Sequence, residues 1–219
     1  MVTVIYNTPL EVPVLAMSEC YGNKCTVKSL VHAVAAGHMS LLEHINVSIE
    51  MTMSQKCLLQ FERHRHFSMT IESSRGRDMS KNGKFDAWVK PSAVSDTDWY
   101  QFVEDYGNLE QKSYNIIQDG VKAGIPLEYL AYALPLGSNV SGVITGNLRC
   151  WMEWLKKRLC KRASIEHQQL ARDVYYSLQK LYPEIVTPEL IGICSGCKEP
   201  SCDFTVHKKQ GKTPVIGEL

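Results

Sequence analysis

Residues 45–75 decide the fold. They begin Ile45-Asn46-Val47-Ser48-Ile49-Glu50-Met51-Thr52-Met53-Ser54 and end Arg63-His64-Arg65-His66-Phe67-Ser68-Met69-Thr70-Ile71-Glu72-Ser73-Ser74-Arg75. Ile45, Val47, Ile49, Met51 and Met53 alternate with polar residues, the period of two of a half-buried strand. Ser54 can then cap a helix with Cys57, Leu58 and Phe61 on its apolar side. That helix runs into Arg63-His64-Arg65, and the hydroxyls of Ser73 and Ser74 and a further cation, Arg75, follow. Guanidiniums fork onto phosphate oxygens, and imidazole offers a directional donor. The cluster alone also has a plain reading, since cations at a helix C-terminus complement its dipole.

The flanks extend the pattern. Val2 to Tyr6 reads as a first strand. Thr26 can cap a helix carrying Leu30, Val31 and Val34 that stops at Gly37. Residues 76–95 are polar and glycine-bearing and read as a loop, with a short strand at Phe85 to Val89. Asp96 or Asp98 starts a long helix with Trp99, Phe102, Val103, Tyr106, Leu109, Ile116 and Ile117 at helical spacing, ending near Gly120 or Gly124. Pro126 opens a short helix closed before Pro135. Val140 to Thr145 is a strand, Asn147 caps a helix with Leu148, Trp151, Met152, Leu155 and Leu159, and Ser164 opens a last long helix to about Leu181. This is an α+β pattern: a small, largely antiparallel sheet with long helices.

The chain has 219 residues, 44% of them hydrophobic, and a formal charge of +1. Such a length suits one compact domain. The charge provides no global field for nucleic acid or anionic membrane. No apolar run approaches the roughly 18 residues of a membrane span, and the N-terminus lacks the pattern of a secretory signal. A cytoplasmic location is expected, in which the eight cysteines are free thiols or metal ligands rather than disulfides.

The run Arg63-His64-Arg65, seven residues, Ser73, then Arg75 resembles the signature of the flavin-dependent thymidylate synthases. Gly37-His38-Met39-Ser40-Leu41-Leu42-Glu43-His44 resembles the family's Gly-His-x-Thr/Ser-x-x-Glu-His segment. Leu134-Pro135, Asn147-Leu148-Arg149 and Arg158 fall where the family keeps Leu-Pro, Asn-Ala-Arg and a later arginine. The resemblance runs from about Cys20-Tyr21 to the helix after Ser164. It implies reductive methylation of dUMP to dTMP, with FAD, methylene-tetrahydrofolate as carbon donor and NADPH as reductant, in a homotetramer. It implies that His38, Ser40, Arg63, His64, Arg65, Asn147 and Arg149 bind FAD. Gln60, Arg63, Ser73, Ser74, Arg75 and Arg158 would hold the nucleotide, with Arg158 against the uracil O2/N3 edge, where its charge is catalytic. Without the resemblance, Asn147 is an ordinary cap, and Gln60 and Arg158 are ordinary surface residues.

Some positions depart from the family. Its acid before the motif serine is replaced by Ile71, with Glu72 one place later. Its frequent arginine three residues before Leu-Pro is Ala131. Glu153 stands where a neutral amide or histidine is usual. A related flavin- and folate-dependent modification of another pyrimidine nucleotide, methylation or hydroxymethylation, is therefore the alternative.

Residues 1–190 read as the synthase-like domain and 191–219 as a Cys-rich tail. There, Cys194-x2-Cys197-x4-Cys202-x4-His207 could close a tetrahedral zinc site, or be a tail with free thiols. With the basic patch, a zinc knuckle would make a non-enzymatic RNA- or DNA-binding module. The near-neutral charge and Glu62 beside the patch argue against nucleic acid.

Overall fold

The structure, a computed structural model, describes residues 1–82, 89–200 and 202. Four strands form one sheet in the order β1-β2-β4-β3: β1 (Val2–Asn7), β2 (Asn46–Ser54), β3 (Ser68–Ile71) and β4 (Asn139–Asn147). β1 pairs antiparallel with β2, Val2 opposite Met51 and Asn7 opposite Val47, with an irregularity between Val4 and Tyr6. Ser48 and Thr145 share a hydroxyl hydrogen bond of 2.8 Å, as do Thr52 and Ser141. Their opposed numbering makes β2 and β4 antiparallel. The expected alternation holds in β2, where Val47, Ile49, Met51 and Met53 are buried.

The chain divides into two compact units, one comprising Met1–Met51, His64–Met69 and Val143–Leu219, the other Thr52–Arg63 and Thr70–Gly142. The first holds α1 (Glu11–Tyr21), α2 (Val27–Ala35), α6 (Leu148–Arg158), α7 (Ile165–Leu181) and α8 (Pro188–Ile191). Its core includes Leu30, Leu42, Ile45, Ile144, Leu148, Trp151, Trp154 and Tyr182. Thr26 caps α2 as expected, in a reciprocal pair with Ser29. Asn147 caps α6, accepting the Cys150 N–H at 2.9 Å.

The second unit holds α3 (Gln55–Phe61), α4 (Asp96–Lys122) and α5 (Leu127–Leu130). Ser54 caps α3, accepting the Cys57 N–H at 3.0 Å. Tyr114, Ile117 and Leu130 form its buried cluster. Helix α4 starts at Asp96 as expected, and Ser95 is its cap, its hydroxyl accepting the Asp98 N–H. The buried stripe of α4 is Glu110, Ser113, Tyr114, Ile117 and Gly120. Phe102, Leu109 and Ile116 of the expected apolar face are instead exposed.

Helices α1 and α8 and strand β3 were not legible in the sequence. The strand expected at Phe85 to Val89 falls largely outside the described residues, as does His207 of the tail. Among the described residues no cluster of three His, Cys, Asp or Glu side chains suits a metal. None of the described helices is long and apolar enough to cross a membrane.

Candidate active site

In the first unit the signature meets α6. Phe67 packs edge-on against Trp151 with ring centroids 4.6 Å apart, and the Trp151 Nε1–H donates to the Val47 carbonyl at 3.2 Å. Gly146 makes room for this contact, since a Cβ there would lie 2.5 Å from the Phe67 ring. The segment 64–69 is thus pinned along α6, and His64 comes to rest beside the last residue of that helix. Arg158 Nε lies 3.1 Å and Nη2 2.9 Å from His64 Nε2. Guanidinium stays protonated and has only donors, so His64 Nε2 must be the acceptor and the imidazole proton sits on Nδ1. Burial, then the charges of Arg158 and Lys157, lower the His64 pKa from 6.5 to about 4. His167 on α7 is fully buried, its ring 6.0 Å from that of Trp154. Burial, then Arg158 and His64, bring its pKa to about 3. Both imidazoles are neutral at pH 7.

The residues assigned to FAD in this unit sit on two packed elements. His38 and Ser40 are exposed at the start of a 3₁₀ turn, Met39–His44, that packs against α6. The turn is tied down where the Leu148 N–H donates to the Ile45 carbonyl at 2.7 Å. Arg149 donates from Nη1 to Glu43 at 2.7 Å and from Nε to Glu153 at 3.2 Å. This explains the unusual Glu153: it and Glu43 hold Arg149 in place. Arg65 is exposed. A cavity of about 610 Å³ opens beside α1 and α2, with Tyr21, Lys28, His32 and His38 among its walls.

In the second unit, Gln60 is half-buried on α3, while Arg63 and Ser73 are exposed. Ser74 and Arg75 line a cavity of about 460 Å³ with Glu128, Tyr129, Ala131 and Tyr132. Arg75 lies 3.5 Å from Glu128, both side chains largely exposed, so the pair contributes little to stability. Glu72 is committed locally: it accepts from Asn82 Nδ2 at 2.8 Å and the Ser141 N–H at 3.1 Å, and pairs with Arg77 at 2.5 Å.

The structure therefore joins His64 to Arg158, and Ser74 to Arg75, and sets His38 and Ser40 on the turn that packs against the helix bearing Asn147 and Arg149. Glu43, Glu128 and His167 went unassigned in the sequence. His167 had a signal, because it begins the 167–170–171–174–178 stripe that α7 buries.

The model of the thymidylate synthase complementing protein family matches residues 3–184. The chain belongs to that family. The matched span contains every site residue named above and stops before the Cys-rich segment. Among curated members, the probable flavin-dependent thymidylate synthase of Mycobacterium phage D29 is 29% identical over 164 residues, covering 72% of this chain and 70% of that protein. The flavin-dependent thymidylate synthase of Mycobacterium tuberculosis is 26% identical over 169 residues, covering 71% of this chain and 66% of that protein. Thymidylate synthase X of Helicobacter pylori, solved with FAD and dUMP, superposes with a TM-score of 0.66 at 21% identity, covering 87% of this chain and 99% of that one. The UMP/dUMP methylase PolB of Streptomyces cacaoi, bound with 5-Br dUMP, superposes with a TM-score of 0.70 at 18% identity, covering 90% and 94%. These two establish a shared fold, α+β with a small antiparallel sheet.

Proposed function

We propose that this member of the family is a flavin-dependent thymidylate synthase, methylating dUMP to dTMP with methylene-tetrahydrofolate as carbon donor and NADPH as reductant through FAD. The observation that carries the reading is the meeting of His64 and Arg158. Two motif residues 94 positions apart have no evident structural need to touch, yet they share one hydrogen-bonded pair.

The donor set fits a dinucleotide. The exposed guanidiniums of Arg63 and Arg65 suit pyrophosphate oxygens, and His38, Ser40, Asn147 and Arg149 present a hydroxyl, an imidazole and amide or guanidinium edges toward a polar ring system. FAD, when bound, supplies the hydride. The chain's own groups orient and polarise the nucleotide. Gln60, Arg63, Ser73, Ser74 and Arg75 hold it, and the Arg158 charge at the O2/N3 edge stabilises negative charge developing on the ring. No cysteine lies within 63–75, in keeping with ring activation by electrostatics rather than by a thiolate. The exposed stripe Phe102, Leu109 and Ile116 supports assembly into a homotetramer.

A second reading concerns the nucleotide. The cavity beside Ser74 and Arg75 has Ala131 and Glu128 in its wall, a weaker phosphate clamp than an arginine would make. dUMP, UMP and dCMP carry the same 5′-phosphate, so this weakens anion binding without selecting dUMP among them, and PolB is named for both UMP and dUMP. Incubating the protein with FAD, NADPH, methylene-tetrahydrofolate and dUMP, UMP or dCMP in parallel decides between them. Product from dUMP supports the first reading, product from UMP or dCMP alone the second, and no product from any ends both.

A further inference from the structure

We propose that His64 is a positioning residue, a neutral imidazole with its proton on Nδ1 whose Nε2 fixes the guanidinium of Arg158 in the plane it needs at the pyrimidine. The resemblance gives His64 a different task, contact with FAD. A contact donated to FAD from Nε2 would make the opposite demand on that atom. Nε2 accepts from Arg158 Nε and Nη2 at 3.1 and 2.9 Å, so its lone pair is committed and it has no proton to donate to a cofactor. The inference rests on Arg158 being the group at the pyrimidine.

The surroundings enforce this state. Arg158 and Lys157 face His64 from α6, and His167 lies within electrostatic reach from α7. The two cations oppose protonation of the ring. An imidazolium at 64 would stand against the Arg158 guanidinium and remove its acceptor. His167, fully buried on α7, acts on both members of the pair electrostatically. A freely rotating arginine samples many rotamers. One held along its Nε/Nη2 edge presents its charge in a single orientation, the condition under which such a group stabilises a transition state most.

The test uses the flavin-loaded full-length protein and two readouts. In ¹⁵N-edited NMR of the histidine side chains, His64 is assigned by the signal lost in His64→Gln. The expected result is an Nδ1–H tautomer unchanged from pH 8 to 5, with its pKa rising toward 6.5 in Arg158→Met. An Nε2–H tautomer, or ordinary titration near 6.5 in the wild type, overturns the proposal. In kinetics, His64→Gln keeps an acceptor near the Nε2 position and His64→Leu removes it. The expected result is kcat within a few-fold of wild type for the first and lower by roughly 10²-fold for the second, a loss typical of a misplaced group, with nucleotide KM changing less and flavin content equal in both. Loss of flavin in both variants, with turnover falling in parallel, contradicts positioning and returns His64 to the cofactor. Should His64→Leu not fold, His64→Asn removes the acceptor at Nε2 in its place. A wild type without turnover would end the synthase reading, while the NMR readout still decides the His64–Arg158 pair.

Discussion

Arg158 sits at the end of α6 with two other cations of the last turn, Lys156 and Lys157, which on sequence grounds is a dipole-complementing cluster. Its contact with His64 separates it from its neighbours. Arg158→Met should lower kcat/KM for the nucleotide by about 10²–10³-fold, the range for a lost charge-stabilising donor, with flavin absorbance retained. An effect under ten-fold in steady-state kinetics would remove Arg158 from the chemistry. The buried imidazole of His167 and the half-buried one of His64 carry a stability consequence. Their folded pKa values, about 4 and about 3, lie below the unfolded 6.5. Between 6.5 and 4 the unfolded chain binds protons the folded one refuses, so stability is full above 6.5 and falls as pH drops. The limit is about 1.4 kcal/mol per pH unit for each histidine. Urea midpoints measured from pH 7.5 to 4.5 should fall in the wild type and fall less steeply in His167→Gln. A flat profile contradicts the burial of neutral imidazoles. At this scale the motif residues were legible from their order and His167 from the α7 stripe, but what Glu43 and His167 act on was not, because Arg149 is distant in sequence from Glu43 and Arg158 is on another helix from His167.

At the scale of elements, legibility followed local chemistry. β2, α2, α3 and α6 announce themselves through alternation and a capping side chain. Helix α1 does not: Leu10 precedes it and offers no side-chain cap, Pro13 lies in its first turns, and it buries only Pro13 and Met17. Strand β3 is four residues long with two exposed polar positions, too short for a period to show. It is specified instead by its partner. A Cβ on Gly142 of β4 would press into Ile71 and lie 2.6 Å from the Thr70 carbonyl oxygen, backbone that cannot yield. Gly142→Ala should destabilise the fold by roughly 1–3 kcal/mol, the cost of overpacking, and weaken nucleotide binding, since β3 leads directly into Ser73–Arg75. Gly76→Ala, with nothing within 4 Å of the added Cβ, is the control. Equal melting temperatures for the two variants would contradict the close strand approach.

For the whole molecule, the expected long helix is present as α4, and its apolar residues divide, Ile117 being buried. Phe102, Leu109 and Ile116 recur every seven residues and lie on one stripe, yet all three are about half exposed in the single chain. Periodicity reports an apolar face but not whether the same chain or another copy covers it. Leu109→Glu with Ile116→Glu should convert a tetramer of the 24.7 kDa chain to smaller species in light scattering, with loss of flavin and turnover. A wild type that runs as a monomer contradicts the assembly. The ligand set read at Cys194, Cys197, Cys202 and His207 lies beyond the matched span, and its His207 falls outside the described residues.

The central proposal is that Arg158 acts on a pyrimidine nucleotide in a reaction served by FAD. The most direct measurement is turnover of radiolabelled dUMP by purified protein reconstituted with FAD, with NADPH and methylene-tetrahydrofolate present. The expected result is labelled dTMP whose formation requires FAD and falls at least 10²-fold in Arg158→Met. No methylated product from dUMP, UMP or dCMP at full flavin occupancy, or a protein that takes up no flavin, would contradict it.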